Sequence, residues 1–290
     1  MTGIVIQPAG PSLGAIIEGI DLSAPLDGST AEVLRTALDR HHVIAFRDQR
    51  LTPEDLVRYS RYFGELDPAP ITENGRAHVT GHEEVYVISN IVENGRPIGA
   101  LGAGEAIWHS DMSYEPIPPF GSCLYAVEVP QTGGDTSFLS SFAAYDALPQ
   151  ALKDRVEGLS LKHDSTTNSG GYIRQGAEAP EDVSRSPGTV HPLVHRHPVT
   201  GRKALNLGRR PHAWVVGLPV PESERLLNEI WEHAVGPAAI WTHRWRVGDL
   251  VQWDNRWTMH RRDGFPADDR RLMLRTQIRQ AAAFSSASVA

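Results

Sequence analysis

Cysteine is all but missing from this chain. Cys123 stands alone among 290 residues, which excludes an internal disulfide and any site built from several thiolates, zinc and iron–sulfur types alike. Long apolar runs are missing as well. None approaches the roughly 18 residues of a membrane-spanning helix, and the opening Met1–Ile6 has neither a basic region nor a hydrophobic stretch of the secretory kind. Positive charge is in deficit: 28 Lys and Arg stand against 35 Asp and Glu, for a formal net charge of -7. No basic field therefore draws the chain to nucleic acid or to an anionic membrane, and any anionic ligand must be met by particular arginines. No internal repeat or linker-like stretch is present. With 40% hydrophobic and 22% charged residues, the expectation is a soluble, cytoplasmic protein forming one domain over 1–290 with a sizeable core.

The patterning that is present points to short strands. Apolar alternation or short apolar runs predict strands within 4–22 and at 43–46, 85–89, 122–129, 190–195, 204–207, 242–247, 250–253 and 272–278. Helices are expected near 30–41, where Ser29 and Glu32 have capping-box spacing, and after Thr52-Pro53-Glu-Asp55, with Gly64 beyond its end. Two more lie within 141–157, broken at Pro149, and a last one opens at Pro221 with Leu226, Leu227, Ile230 and Trp231 on one face. Segments 67–105 and 163–189 are rich in turn-forming and polar residues and read as lids. The second is expected to order on binding, and the small, polar tail 281–290 is expected to be flexible. Without βαβ alternation, the fold class is mainly β with flanking helices around a double-stranded β-helix, or jelly-roll, core.

The stretch Ile107–Tyr114 carries the chemistry. His109 and Asp111 are two apart in what reads as a strand, so both would face one side and could share a metal ion. A lone His-x-Asp is expected about once by chance in such a chain, and a buried histidine beside a turn aspartate is the ordinary alternative. The natural third ligand is His260, and two histidines with one carboxylate leave three positions of an octahedron open. His78 and His82, four apart without a helical pattern, read as solvent-exposed.

Motifs at matching offsets raise the specificity: Trp108-His109-Ser-Asp111, Gly133-Gly-Asp-Thr136, Arg244-Trp-Arg-Val-Gly-Asp249, Trp253-Asp-Asn-Arg256, His260, Arg271 and Arg275. Through them the chain resembles the taurine dioxygenase family of Fe(II)- and 2-oxoglutarate-dependent oxygenases, which also holds the phenoxyalkanoate dioxygenases. The resemblance implies that His109, Asp111 and His260 hold Fe(II). It implies that Thr136 and Arg271 bind the distal carboxylate of 2-oxoglutarate, and that Arg275 lies near the co-substrate or an anionic group of the substrate. With O2 as oxidant, the implied reaction hydroxylates a small organic molecule, or cleaves it after hydroxylation, and releases succinate and CO2. The carboxylate of Asp111 favours this outcome over halogenation.

The physical reading agrees, because an arginine fork suits a buried carboxylate. The even spacing of Arg271 and Arg275 turns both away from Arg270, on a strand expected to return beside His260. Glu105, Met112, Tyr114 and Trp253 are candidates for the substrate side, with Trp108 and Trp257 as further walls. A substrate bearing an anion, or an amine if Glu105 faces the pocket, is expected. Taurine is not, since Ala69 stands where sulfonate-active members have a histidine. Homo-oligomers are usual in the family. Two other classes fit part of the pattern: a zinc hydrolase using the same triad, which gives Thr136 and Arg271 no task, and a non-catalytic jelly-roll anion-binding protein, which leaves the triad idle.

Overall fold

Strands from distant parts of the chain assemble into two sheets whose inner faces meet. The computed structural model describes residues 3–71 and 77–280; the tail expected to be flexible lies outside them. The main path of the larger sheet runs Val5–Pro8, Ala15–Glu18, Val43–Phe46, Leu250–Asp254, Gly121–Glu128, Leu272–Ile278, His82–Ser89 and His78–Val79. The smaller sheet orders Ala106–His109, Thr258–Arg262, Thr136–Ser140 and Ile240–His243, all antiparallel. Along the chain, successive strands change sheets: Ala106–His109 is in the small one, Gly121–Glu128 in the large, Thr136–Ser140 in the small, and Leu250–Asp254, Thr258–Arg262 and Leu272–Ile278 continue the alternation. This is the winding of a jelly roll.

Four layers follow from the two-residue side-chain period. Helices α1 (Gly28–His41) and α2 (Pro53–Arg61) cover the outer face of the large sheet, where Leu34, Leu38, Leu56 and Tyr59 pack on Phe46, Cys123 and Leu274. Leu124, next to Cys123, faces the other way, into the space between the sheets with Phe138, Trp253 and Met273. Leu139, next to Phe138, in turn packs outward against α3 (Ser141–Asp146), α4 (Gln150–Val156) and α5 (Val220–Ala234).

Helix starts follow local hydrogen bonding. Asp27 caps α1, its Oδ1 accepting the Thr30 N–H at 2.7 Å. The expected Ser29–Glu32 box is not used, and Glu32 pairs with Arg35 instead. Thr52 and Asp55 do form a capping box at α2, with Pro53 opening the helix. The strand expected over 242–247 ends at His243, and Thr258–Arg262, which carries His260, was not evident as a strand. Arg271 does return from His260, but into the opposite sheet: Leu272–Ile278 pairs with Gly121–Glu128 and His82–Ser89. The candidate lids hold more regular structure than their composition suggests. Strands occupy His82–Ser89, Arg96–Pro97 and Ala100–Leu101, and Thr166, Thr167 and Asn168 are buried.

Phe138 joins the two sheets. It is fully buried, with ring centroids 5.6 Å from Trp253 and 5.9 Å from Trp241. Phe138→Ala should lower unfolding stability by about 3–5 kcal/mol, whereas Val33→Ala on the exposed face of α1 should stay within about 0.5 kcal/mol. Urea denaturation midpoints of the two variants check this.

Candidate active site

Register places the histidines. His109 and His260 are direct partners across neighbouring antiparallel strands, with ring centroids 4.1 Å apart. The first strand ends at His109, so Asp111 does not face the site by strand alternation. It lies in a turn followed by Met112 at φ 47°, and Asn255 clamps that turn. The Asn255 Oδ1 accepts the Asp111 N–H at 2.7 Å, and its Nδ2 donates to Asp111 O at 2.9 Å and Pro119 O at 3.1 Å. Asp111 Oδ1 thereby sits 3.9 Å from Nε2 of each histidine, and one ligand atom from each of the three residues falls within 4.8 Å of the others.

The protonation states suit a cation. His109 Nδ1 is 2.7 Å from Ile107 O, which holds the proton on Nδ1 and leaves the Nε2 lone pair toward Asp111 and His260. Burial keeps both imidazoles neutral, pushing His109 well below its ordinary value and His260 down to about 4. Burial would raise Asp111, but Arg275 at 2.9 Å, the histidines and the Ser122 hydroxyl at 2.8 Å outweigh it and hold the carboxyl well below the usual carboxylate range. Two neutral nitrogens and one carboxylate, all largely buried, form a donor set for a divalent transition metal.

Next to this cluster is a chamber lined by Thr136, Arg271, Trp253 and His260. Arg271 is 2% exposed. Its Nε has no hydrogen-bond partner and its guanidinium enters no ion pair among the described residues. Burial and the neighbouring Arg262 bring it down to about 9. A buried guanidinium without a counter-ion needs an anion. Ser89 and Asn90 fix its backbone, the former through Ser89 Oγ to Arg271 O at 2.8 Å, the latter by accepting the Arg271 N–H at 3.0 Å. Thr136 Oγ1 accepts the Trp245 indole N–H at 2.9 Å, leaving its own proton for a ligand. The turn before it needs glycine at Gly133, with φ 73°, where a Cβ would lie 2.4 Å from Gly264 O.

A second chamber, on the other side of Asp111 and His109, takes in Met112, Tyr114, Arg174, Arg209 and Arg275. Arg174 lies over the Tyr114 ring at 4.6 Å. Arg209 donates to the carbonyls of Thr167 and Asp164, and burial brings it down to about 10. Met112 and Tyr114 are therefore on the side expected of them. Glu105 is not: it is exposed and 3.2 Å from Arg261. Trp253 backs His260 at 4.8 Å and lines the Thr136 chamber rather than this one. Trp257 stacks on Phe142 at 5.0 Å and Trp108 packs behind the small sheet, so neither walls the site. His78 is exposed and His82 half-buried on a hairpin away from the cluster. Asn255, Ser122 and Trp245 escaped the sequence reading as site residues although Asn255 and Trp245 sit inside its motifs; Arg174 and Arg209 carried no signal there.

Comparison with known proteins gives a consistent assignment. The family model described as "Taurine catabolism dioxygenase TauD, TfdA family" matches residues 6–277. The chain is 35% identical over 279 residues to the alpha-ketoglutarate-dependent 2,4-dichlorophenoxyacetate dioxygenase of Cupriavidus pinatubonensis, covering 94% of this chain and 96% of that one. It is 34% identical over 290 residues to the (S)-phenoxypropionate/alpha-ketoglutarate-dioxygenase of Sphingobium herbicidovorans, covering 94% of each. Among solved structures, that of AAD-2 in complex with Mn(II) and N-oxalylglycine superposes with a TM-score of 0.77 at 31% identity, covering 96% of this chain and 98% of the other. A family match along nearly the whole chain, with relatives this similar at full length, makes the protein a member of the TauD, TfdA family of dioxygenases.

Proposed function

We propose that the protein is an Fe(II)- and 2-oxoglutarate-dependent dioxygenase that hydroxylates a small organic acid, or cleaves it after hydroxylation, releasing succinate and CO2. One observation carries the reading: a buried, unpaired Arg271 with the Thr136 hydroxyl beside a His109–Asp111–His260 cluster. Both the metal and the keto acid then have a place. His109, Asp111 and His260 hold the iron; Arg271 and Thr136 take the distal carboxylate of the keto acid. Iron with the bound keto acid and O2 supplies the oxidising chemistry. The protein positions the parts and keeps water out. Asn255 and Ser122 orient Asp111, the Ile107 carbonyl selects the His109 tautomer, and Trp245 turns the Thr136 hydroxyl. A zinc hydrolase would leave Arg271 without a ligand, and a binding protein would leave the triad without one.

The second chamber supports an acidic substrate. Arg174, Arg209 and Arg275 line it, and Glu105, the one residue that favoured an amine, is outside. The related enzymes named for 2,4-dichlorophenoxyacetate and phenoxypropionate make aryloxyalkanoic acids the first compounds to test. The 163–189 segment supplies Asn168, Ser169 and Arg174 to this wall, where a bound substrate would meet it.

Anaerobic addition of Fe(II) and then 2-oxoglutarate should produce a visible metal-to-ligand charge-transfer band only when both are present. Asp111→Ala should abolish it, and Arg271→Ala should weaken 2-oxoglutarate binding by about 10- to 100-fold, the loss of a charge-assisted hydrogen-bonded pair. Tight metal binding without a band would discard the reading. In turnover, phenoxyacetate should stimulate succinate release and an aryl amine of the same size should not. Arg209→Gln should raise KM for the acid by about tenfold, with a smaller change in kcat. Steady-state assays of succinate check both.

A further inference from the structure

Arg262 is a second buried guanidinium in the chamber of Arg271, and the roles assigned above do not use it. It follows His260 by two positions on one strand, so both face the interior, and it is in register with Thr136 on the next strand. It is 6% exposed and lines the same chamber as Thr136 and Arg271. The Phe265 ring lies 5.2 Å from its guanidinium carbon and 6.0 Å from that of Arg271. Among the described residues Arg262 enters no ion pair, and its Nε has no partner. Of the three arginines lining this space, Arg275 is paired with Asp111, so two cations without an acid face a space for which the proposed reaction supplies one distal carboxylate.

Its remaining bonds lead elsewhere. Arg262 Nη2 donates to Leu101 O at 3.1 Å and to Gly104 O. The Phe265 N–H adds a bond to Ala103 O at 3.2 Å. The loop so held is under backbone strain, with Leu101 at φ 73°, a left-handed conformation that a leucine rarely adopts. Leu101 lines both the Arg271 chamber and the substrate-side chamber, so it forms part of the partition between them. A simple structural clip would explain the two carbonyl bonds. It would not explain why a full charge, desolvated and without an acid, is used for the purpose.

We propose that Arg262 is a second cation for the distal carboxylate of the co-substrate, and that through Leu101 and Gly104 it sets the 101–104 loop, and hence the partition, according to co-substrate occupancy. The inference rests on the assignment of the Thr136–Arg271 chamber to 2-oxoglutarate. Once the carboxylate engages Arg262, the guanidinium is fixed and its hold on the strained loop tightens. Because coupling is reciprocal, ordering of the loop by substrate tightens the co-substrate by the same factor.

Hydrogen–deuterium exchange on the Fe(II)-loaded protein under anaerobic conditions, with and without 2-oxoglutarate, tests this. Backbone amides of 100–105 should exchange about tenfold more slowly with the keto acid present. In Arg262→Gln that slowing should vanish, and 2-oxoglutarate affinity read from the charge-transfer band should fall about tenfold. Should that variant not fold, Arg262→Lys replaces it: with its donors on one nitrogen, an ammonium cannot hold the two carbonyls through one atom and the carboxylate through another, as a guanidinium can, so the slowing should again be lost. Unchanged exchange in the wild-type protein while the band forms, or slowing that persists in the folded variants, overturns the inference and leaves the oxygenase reading standing. Absence of the band overturns the reading beneath it.

Discussion

The contact between Asp111 and Arg275 ties the two halves of the molecule together. Asp111 is held on the turn that ends a strand of the small sheet, and Arg275 lies mid-strand in the large one. Their 2.9 Å bond crosses the sandwich and both side chains are buried. Taking two charges out of water costs several kcal/mol each unless the remaining hydrogen-bonding capacity is met. Here Ser122 takes Oδ2, Arg275 takes Oδ1, and two imidazoles stand 3.9 Å from that same Oδ1. A cation held by the two histidines would share Oδ1 with Arg275. Arg275 therefore keeps the carboxylate ionised and also tempers how strongly it can donate, so one contact sets both the sheet-to-sheet alignment and the metal site.

Around that contact, local charge runs opposite to the charge of the whole chain. The protein carries a formal net charge of -7, yet Arg262, Arg271 and Arg275 face the two chambers from within the sandwich, and Asp111 is the carboxylate among the lining residues of either chamber. The acidic excess lies on the surface, where solvent screens it, whereas the cationic excess is buried and screened far less. Long-range attraction of an anion is thus weak and short-range capture strong. That balance would suit the small acids proposed above, and it shows how a bulk composition with no basic field can say nothing about the affinity of the interior.

What could be read in advance was what depends on neighbours in sequence. The Leu272–Ile278 strand, the break at Pro149 and the cap at Thr52 all follow from local patterns. So does the division of arginines: Arg270 turns outward to Glu128 at 2.7 Å while Arg271 and Arg275 turn inward. Strand alternation predicts the side that Asp111 faces for a reason that does not hold, since the strand stops at His109 and the Asn255 clamp does the orienting. Spacing alone cannot say which sheet a returning strand joins, because that choice depends on partners more than 100 residues away, and so Arg271 was expected beside His260 rather than across from it. Tryptophans give no guidance: Trp253, Trp257 and Trp108 look alike in sequence and pack in three different apolar clusters.

The division between strands and loops also separates two tasks of such a site in purely physical terms. The proposed metal ligands and the Arg271–Thr136 pair stand on or beside paired strands, or on a turn clamped by hydrogen bonds, an arrangement whose positions should vary little with what is bound. The wall of the substrate-side chamber is different. Met112 and Tyr114 follow the end of a strand, and Asn168, Ser169, Arg174 and Arg209 lie on connections without long strands or helices. A change of sequence there alters shape and charge at small cost to the sandwich, whereas a change at Asn255 or Ser122 disturbs the carboxylate that links the sheets. On the proposed assignment, reaction type is written into the rigid part of the fold and substrate choice into its loops, which is why the first can be read from motifs and the second calls for offering candidate acids to the second chamber.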